Sequence, residues 1–292
     1  MAGEEPVRHP WEDWVWDESV FQGTAAYYRT GRNPYPPHLA EVLRDALDLD
    51  GHGRLLDLGC GPGVVTLLFA GLFDSVVGLD PDAGMIAEAE RAAIEMGCPN
   101  ATWVRMRAEE LPADLGSFRV ITFASSFHWM DRPVVADAVR DMLEPGGAVV
   151  QVDLWHQPPP ELRRPGEHPP IPEADIDELR VRWLGPDKRA GQGARNTSPS
   201  GEDEIFQAAG FAPEEIVIVP DDRIIERTTD EVVAWVLSMS STAPHLFGDR
   251  LPDFERDLRA VLADASPAGR FSVALCDNRL RIRRPLIRAR KG

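Results

Sequence analysis

Leu55-Leu56-Asp57-Leu58-Gly59-Cys60-Gly61-Pro62-Gly63 reads as a buried strand that breaks into a glycine turn. The apolar run after it, residues 64–73 (VVTLLFAGLF), fits a helix packed back onto that strand. Three glycines at alternate positions let the backbone turn tightly and come against a ligand. The first turn of the helix would face that ligand with unpaired N–H groups, which suits a carboxylate or a phosphate. Asp80, 21 residues past Gly59, closes the next strand, SVVGLD. An acid there can accept both hydroxyls of a ribose. A dinucleotide site would put its third glycine one place later, where Val64 stands. Asp57, just ahead of the turn, sits well for an ammonium and poorly for a pyrophosphate. The turn therefore suits a zwitterionic amino acid joined to adenosine.

Outward from this turn the chain alternates between strands and helices. Residues 82–96 have helical spacing, with Asp82 as N-cap and Met85, Ile86, Ala89, Ala93 and Met96 on one face. Residues 102–106, 118–124 and 146–155 read as strands, with a helix over 132–143 between the last two. Repeated units of this kind imply a parallel sheet covered on both faces. The proline-rich stretch 157–172 is a loop, 176–186 a short amphipathic helix, and 185–200 another loop. A helix at 202–209, a strand at 215–220, helices near 229–239 and 252–263, and one last strand from Arg270 complete the chain. The leader, 1–50, holds Trp11, Trp14 and Trp16 among acids and a helix over 38–49. The tryptophans either anchor the leader or wall an acceptor pocket. Tyr27, Tyr28 and Tyr35 either pack or serve the site. The expected division is a leader cap over 1–50 and one α/β domain over 51–292, with cap insertions at about 154–200 and 221–265.

Composition narrows the class. With 43% hydrophobic and 27% charged residues among 292, the chain can bury a full core. Its longest apolar run is half of what a bilayer-spanning helix needs, and its first residues lack the order of a signal peptide. Cys60, Cys98 and Cys276 indicate neither a disulfide framework nor a metal site, so a cytoplasmic location is expected. The net charge of −17, from 31 basic and 48 acidic residues, opposes nucleic-acid binding. The basic exception, residues 279–291 (RLRIRRPLIRARK), reads as an edge strand with solvated arginines.

These motifs, in this order, resemble the class I S-adenosylmethionine-dependent methyltransferases. LLDLGCGPG (55–63) matches their first motif and VVGLDPDAGMIAEAE (76–90) their second. RAEELP (107–112) falls at the third, and residues 118–150 cover the fourth and fifth. The likeness spans about 54–153. The leader YYRTGRNPYP and the step FHWMD resemble the small-molecule branch of type 11 and trans-aconitate methyltransferase-like proteins. The resemblance implies a Rossmann-like, doubly wound seven-stranded mixed sheet, its last strand antiparallel, with helical cap insertions. It implies that Gly59 and Gly61 line the methionyl portion of the cofactor near Asp57, and that Asp80 holds the ribose. Pro81 and Met85 would flank the adenine, with Ala108 at its edge. Where the family often has an acid before that alanine, this chain has Arg107, which leaves Glu109 for the exocyclic amine. Ala124 and Ser125 would meet the methionyl amine, and Tyr28 and Arg32 its carboxylate.

The expected activity is methyl transfer from S-adenosylmethionine to a small molecule, leaving S-adenosylhomocysteine. A histidine can take a proton from a hydroxyl or ammonium acceptor near neutral pH, and His128 is the first candidate, His156 the second. A carboxylate acceptor needs no base and would use an arginine instead. Ser-Ser-Phe-His at 125–128 lacks the Asn/Asp-Pro-Pro-Tyr signature of enzymes that methylate DNA bases. The mixture of Trp, Tyr and Arg in the cap suits an aromatic or anionic metabolite, with secondary metabolism as the setting. Two other classes stay open: a cofactor-binding regulatory or partner-dependent subunit, and a nicotinamide oxidoreductase. An RNA methyltransferase acting through the arginine-rich tail is a further alternative. No membrane partner is expected, and the sequence is silent on oligomeric state.

Overall fold

The computed structural model describes residues 17–154, 166–194 and 200–286. Seven strands form the central sheet: β1 Arg54–Leu58, β2 Ser75–Asp80, β3 Ala101–Arg105, β4 Phe118–Ala124, β5 Leu143–Leu154, β6 Glu215–Val219 and β7 Asn278–Arg283. Across the sheet they lie in the order β3-β2-β1-β4-β5-β7-β6. The pairs from β3 to β5 are parallel. β7 runs antiparallel to both of its neighbours, as expected for the last strand.

Both faces are covered because the central strands are apolar on both sides. On one face α2 (Leu39–Ala46) and α3 (Val64–Phe69) bury Leu39, Leu43, Val65 and Phe69 against Leu55, Val76, Val150 and Leu280. On the other, α5 (Arg132–Met142) and α7 (Glu202–Ala208) pack Val135, Val139 and Phe206 against Leu56, Ile121 and Val149. α4 (Ala83–Met96) starts on Asp82, whose side chain accepts from the Met85 N–H at 2.9 Å.

A second core lies outside the sheet. α6 (Glu173–Leu184), α8 (Thr229–Leu237) and α9 (Leu251–Ala265) bury Ile176, Leu179, Val236, Phe254, Leu258 and Phe271 together. α1 (Ala25–Gly31), from the leader, packs on α8. Gly31 is what allows it: a Cβ there would lie 2.4 Å from the Ala234 carbonyl carbon.

Two expectations for the C-terminal part are corrected. The single last strand expected from Arg270 is two strands. Arg270–Ala274 pairs antiparallel with Ile224–Thr228 in a ribbon of the cap, and only 278–283 enters the sheet. The arginine-rich stretch 279–283 is also neither at the edge nor solvated, while Arg284 beyond it is exposed. β7 lies between β5 and β6, with Leu280 and Ile282 in the core and the arginines on the opposite face. Arg281 meets Glu202 at 2.7 Å and Asp203 at 2.9 Å, and the fully buried Arg283 meets Gln151, Asp203 and Glu214. Alternation alone cannot tell solvent from a facing layer of acids, and α7 supplies that layer. Residues 287–291 of the tail lie outside the described residues.

Candidate active site

β1 and β4 lie side by side while the chain departs from them in opposite directions, so a crevice opens beyond their C-terminal ends. Gly59, Gly61 and Gly63 all have positive φ, at +66°, +53° and +78°. The Gly59 and Cys60 N–H groups donate to the Leu79 carbonyl at 2.8 and 3.0 Å, tying the turn to the end of β2. A Cβ on Gly59 would lie 2.6 Å from the Ser126 Cβ, whereas one on Gly61 would meet nothing within 4 Å. Gly63 does something else. It lines neither cavity, and a Cβ there would lie 2.4 Å from the Trp103 ring, so this glycine serves packing rather than a ligand.

A slot runs from this turn along the end of β2. Its lining includes Gly59, Gly61, Asp80, Pro81, Met85, Ala108, Glu109, Ala124 and Ser125 from the expected set, and Tyr28 from the leader. Sequence reasoning missed Phe21, Ser126, Trp129 and Met130. Phe21 and Trp129 meet edge to face, 5.4 Å between centroids, and close the slot from the leader side. Trp129 stands within the quoted FHWMD step and was legible as an aromatic; the pairing with Phe21 crosses more than a hundred residues and was not.

The Asp80 carboxylate accepts from the Gly61 N–H and the Asp82 N–H, each at 2.9 Å. Each oxygen keeps a second lone pair, which is what two vicinal hydroxyls require. Burial pushes its pKa up to about 6, against the pull of these two N–H bonds. Glu109 accepts from the Asp131 N–H at 2.8 Å and faces the Arg107 Nε at 3.4 Å. Ser125 holds φ at +52°, an unusual conformation for a residue with a side chain. It turns the chain end of β4 into both the slot and the neighbouring cavity.

Asp57 lies outside both linings. It is fully buried, accepting from Thr66 Oγ1 at 2.6 Å and Thr122 Oγ1 at 2.8 Å, and burial raises its pKa to about 6. Its carboxylate thus buttresses the turn from behind.

A larger hollow of about 390 Å³ adjoins the slot between the sheet and the cap, sharing Tyr28, Gly59, Gly61, Ala124 and Ser125 with it. Arg32 lines this hollow, not the slot. Its Nη2 donates to the Ser238 carbonyl at 2.9 Å, and its guanidinium lies 4.9 Å from the Tyr28 ring centre. His128 lines neither cavity; it sits in a single 3-10 turn, Phe127–Trp129, with its ring 5.0 Å from that of Trp129. His156, Trp11, Trp14 and Trp16 lie outside the described residues. Among the described residues no group of three His, Cys, Asp or Glu could hold a metal, and no helix is long and apolar enough to cross a membrane.

Residues 55–147 match the family model described as "Methyltransferase domain". An uncharacterized methyltransferase of Mycobacterium tuberculosis is 33% identical over 132 residues, 45% of this chain and 51% of that protein. The aklanonic acid methyltransferase DauC of a Streptomyces species is 28% identical over 172 residues, 56% of this chain and 76% of the relative. The chain spans about half the length of the first curated relatives it matches. The solved structure of a provisionally named type II methyltransferase of Anaeromyxobacter dehalogenans is alike in fold. It is 20% identical, with a TM-score of 0.51 over 86% of this chain and 95% of that one. The fold is the Rossmann-like fold of these methyltransferases.

Proposed function

We propose that this chain, whose residues 55–147 belong to the methyltransferase domain family, transfers a methyl group from S-adenosylmethionine to a small-molecule acceptor. The observation that carries the reading is the joined pair of cavities at the ends of β1 and β4, one lined by Asp80, Pro81, Met85 and Ala108 and one under the cap. When bound, the cofactor supplies an electrophilic methyl group on a sulfonium, which passes to the acceptor by in-line displacement and leaves S-adenosylhomocysteine.

The chain's own residues bind and orient. Asp80 accepts the two ribose hydroxyls. Pro81 and Met85 pack on one side of the adenine, with Phe21 and Trp129 closing the slot, and Ala108 and Glu109 stand at its edge. Gly59 and Gly61 let the methionyl portion lie on the backbone, and the strained turn at Ser125 aims β4 carbonyls at its ammonium. Tyr28 and Arg32 close on its carboxylate from the leader. The cap excludes water and holds the acceptor in line, which supplies much of the rate.

A small-molecule acceptor is supported by the size of the hollow, about 390 Å³, and by the name of the Streptomyces relative, an aklanonic acid methyltransferase. Of the two base candidates, His128 stands beside Trp129 of the slot without lining either cavity, and His156 lies outside the described residues. With an acceptor in hand, His128→Ala is expected to lower kcat with cofactor affinity unchanged; an unchanged kcat removes it from that role. Titration calorimetry with S-adenosylmethionine, S-adenosylhomocysteine and NADH tests the reading itself. Micromolar binding of the two adenosyl ligands, without NADH binding, is expected, and binding of NADH alone would turn the site over to hydride chemistry.

A further inference from the structure

Among the described residues, the charged ones that line the hollow are Arg32, Glu173, Arg227 and Glu231. Arg227, though it faces the cavity, is consumed by the leader. Its Nη1 donates to the Thr30 carbonyl at 2.8 Å, and its Nη2 to the Arg32 carbonyl at 2.7 Å and Asn33 Oδ1 at 3.2 Å. Glu231 lies 3.6 Å from Arg227 and accepts from the Thr228 N–H and hydroxyl at 2.8 and 3.0 Å. Glu173 stands exposed at the start of α6. Arg32 has no carboxylate partner among the described residues, and the reading above gives it the cofactor carboxylate. Among the described residues no cation of this lining is then left for an acidic acceptor. The rest of the wall is apolar at Val232, Trp235, Met239, Val273 and Leu275 and polar at Tyr28, Asn33, Ser125 and Asn278.

Several polar groups of the lining are unspent, the buried Asn278 Oδ1 and the Tyr35 hydroxyl among them. The Tyr35 side chain lines the hollow, and no described residue hydrogen-bonds its hydroxyl. Its backbone is pinned, since the Tyr35 carbonyl accepts from Arg223 Nη2 at 3.0 Å and Pro36 restricts the residue before it to extended geometry. We propose that the hollow takes an uncharged acceptor, a largely apolar ring compound carrying a hydroxyl or carbonyl group that the Tyr35 hydroxyl binds and aims. This rests on the methyl-transfer reading only in giving Arg32 to the cofactor. Burial pushes the Tyr35 phenol well above its usual range, the nearby Tyr28, Asp57 and Asp153 adding to the rise. It therefore stays neutral, able to donate to a carbonyl or accept from a hydroxyl, and unable to serve as a base.

Protein saturated with S-adenosylhomocysteine, titrated at pH 7 with 2-naphthol and separately with the 2-naphthoate anion, tests this. Three proteins are compared: the wild type, Tyr35→Phe, which keeps the ring, and Val273→Trp, which fills the cavity. Naphthol is expected to bind the wild type at least about tenfold more tightly than naphthoate. Tyr35→Phe should weaken naphthol about tenfold with its melting temperature and S-adenosylhomocysteine affinity unchanged, and Val273→Trp should abolish naphthol binding. Equal or tighter binding of naphthoate, naphthol affinity untouched by Tyr35→Phe, or no binding of either probe would each overturn the proposal. Should S-adenosylhomocysteine itself fail to bind, the methyl-transfer reading falls separately, and the same titrations without it still decide what the hollow accepts.

Discussion

At the scale of single residues, two buried aspartates behind one turn divide the labour. Asp57 is enclosed by two threonine hydroxyls and supports the strand end, while Asp80 keeps lone pairs toward the slot. Replacing Asp80 with Ala removes the acceptor for two hydroxyls, so S-adenosylhomocysteine affinity should fall about 100-fold in calorimetry. The sign of the pH effect follows from its pKa of about 6, raised by burial. Bound hydroxyls favour the ionised carboxylate, so affinity should weaken as pH drops from 7 to 5, by up to about tenfold per unit below the pKa. Asp80→Asn, which has no charge to lose, should show no such decline. The residue types at this turn were legible in the sequence; their directions were not, since Asp57 and Asp80 differ in which neighbours reach them first.

Among the elements, the alternate glycines of the turn read as making room for a ligand, and one of them, with a further glycine in the leader, makes room for protein instead. Gly63 makes room for Trp103 of β3, and Gly31 lets α1 cross α8 at backbone distance. Gly31→Ala would force those helices apart, and overpacking of this kind costs about 1–3 kcal/mol. A melting temperature lowered by several degrees is expected, with cofactor affinity reduced because α1 carries Tyr28. An unchanged melting temperature would mean that the α1–α8 contact is looser than described. The arginine-bearing strand teaches the same lesson from the other side. Its period-two pattern was readable, whereas the acids that neutralise Arg281 and Arg283 come from α7 and the segment before β6.

For the whole molecule, the cap and the leader are one mechanical unit. Arg223 and Arg227 reach from the cap ribbon to the carbonyls of Thr30, Arg32, Pro34 and Tyr35. Arg223 and Arg227, which the sequence left open for an acidic acceptor, are thus spent on holding the leader over the cavities. Arg227→Ala should release that clamp at a cost of about 2–3 kcal/mol. Limited proteolysis is expected to cut within the leader first, and cofactor affinity should fall along with it. Resistance equal to the wild type would show that α1 is held by its packing alone.

By itself the sequence determined the strand–helix alternation, the glycine turn with an acid ending the next strand, and so the sheet and the slot along its carboxyl ends. These rest on local periodicity and short spacing, which a chain displays before it folds. Tertiary structure alone decided which arginines stay free, which glycines meet protein and which meet a cavity, and that Phe21 and Tyr35 join residues far along the chain. Those outcomes depend on contacts between distant segments, where a side chain's charge or space is claimed by whatever the fold places opposite it.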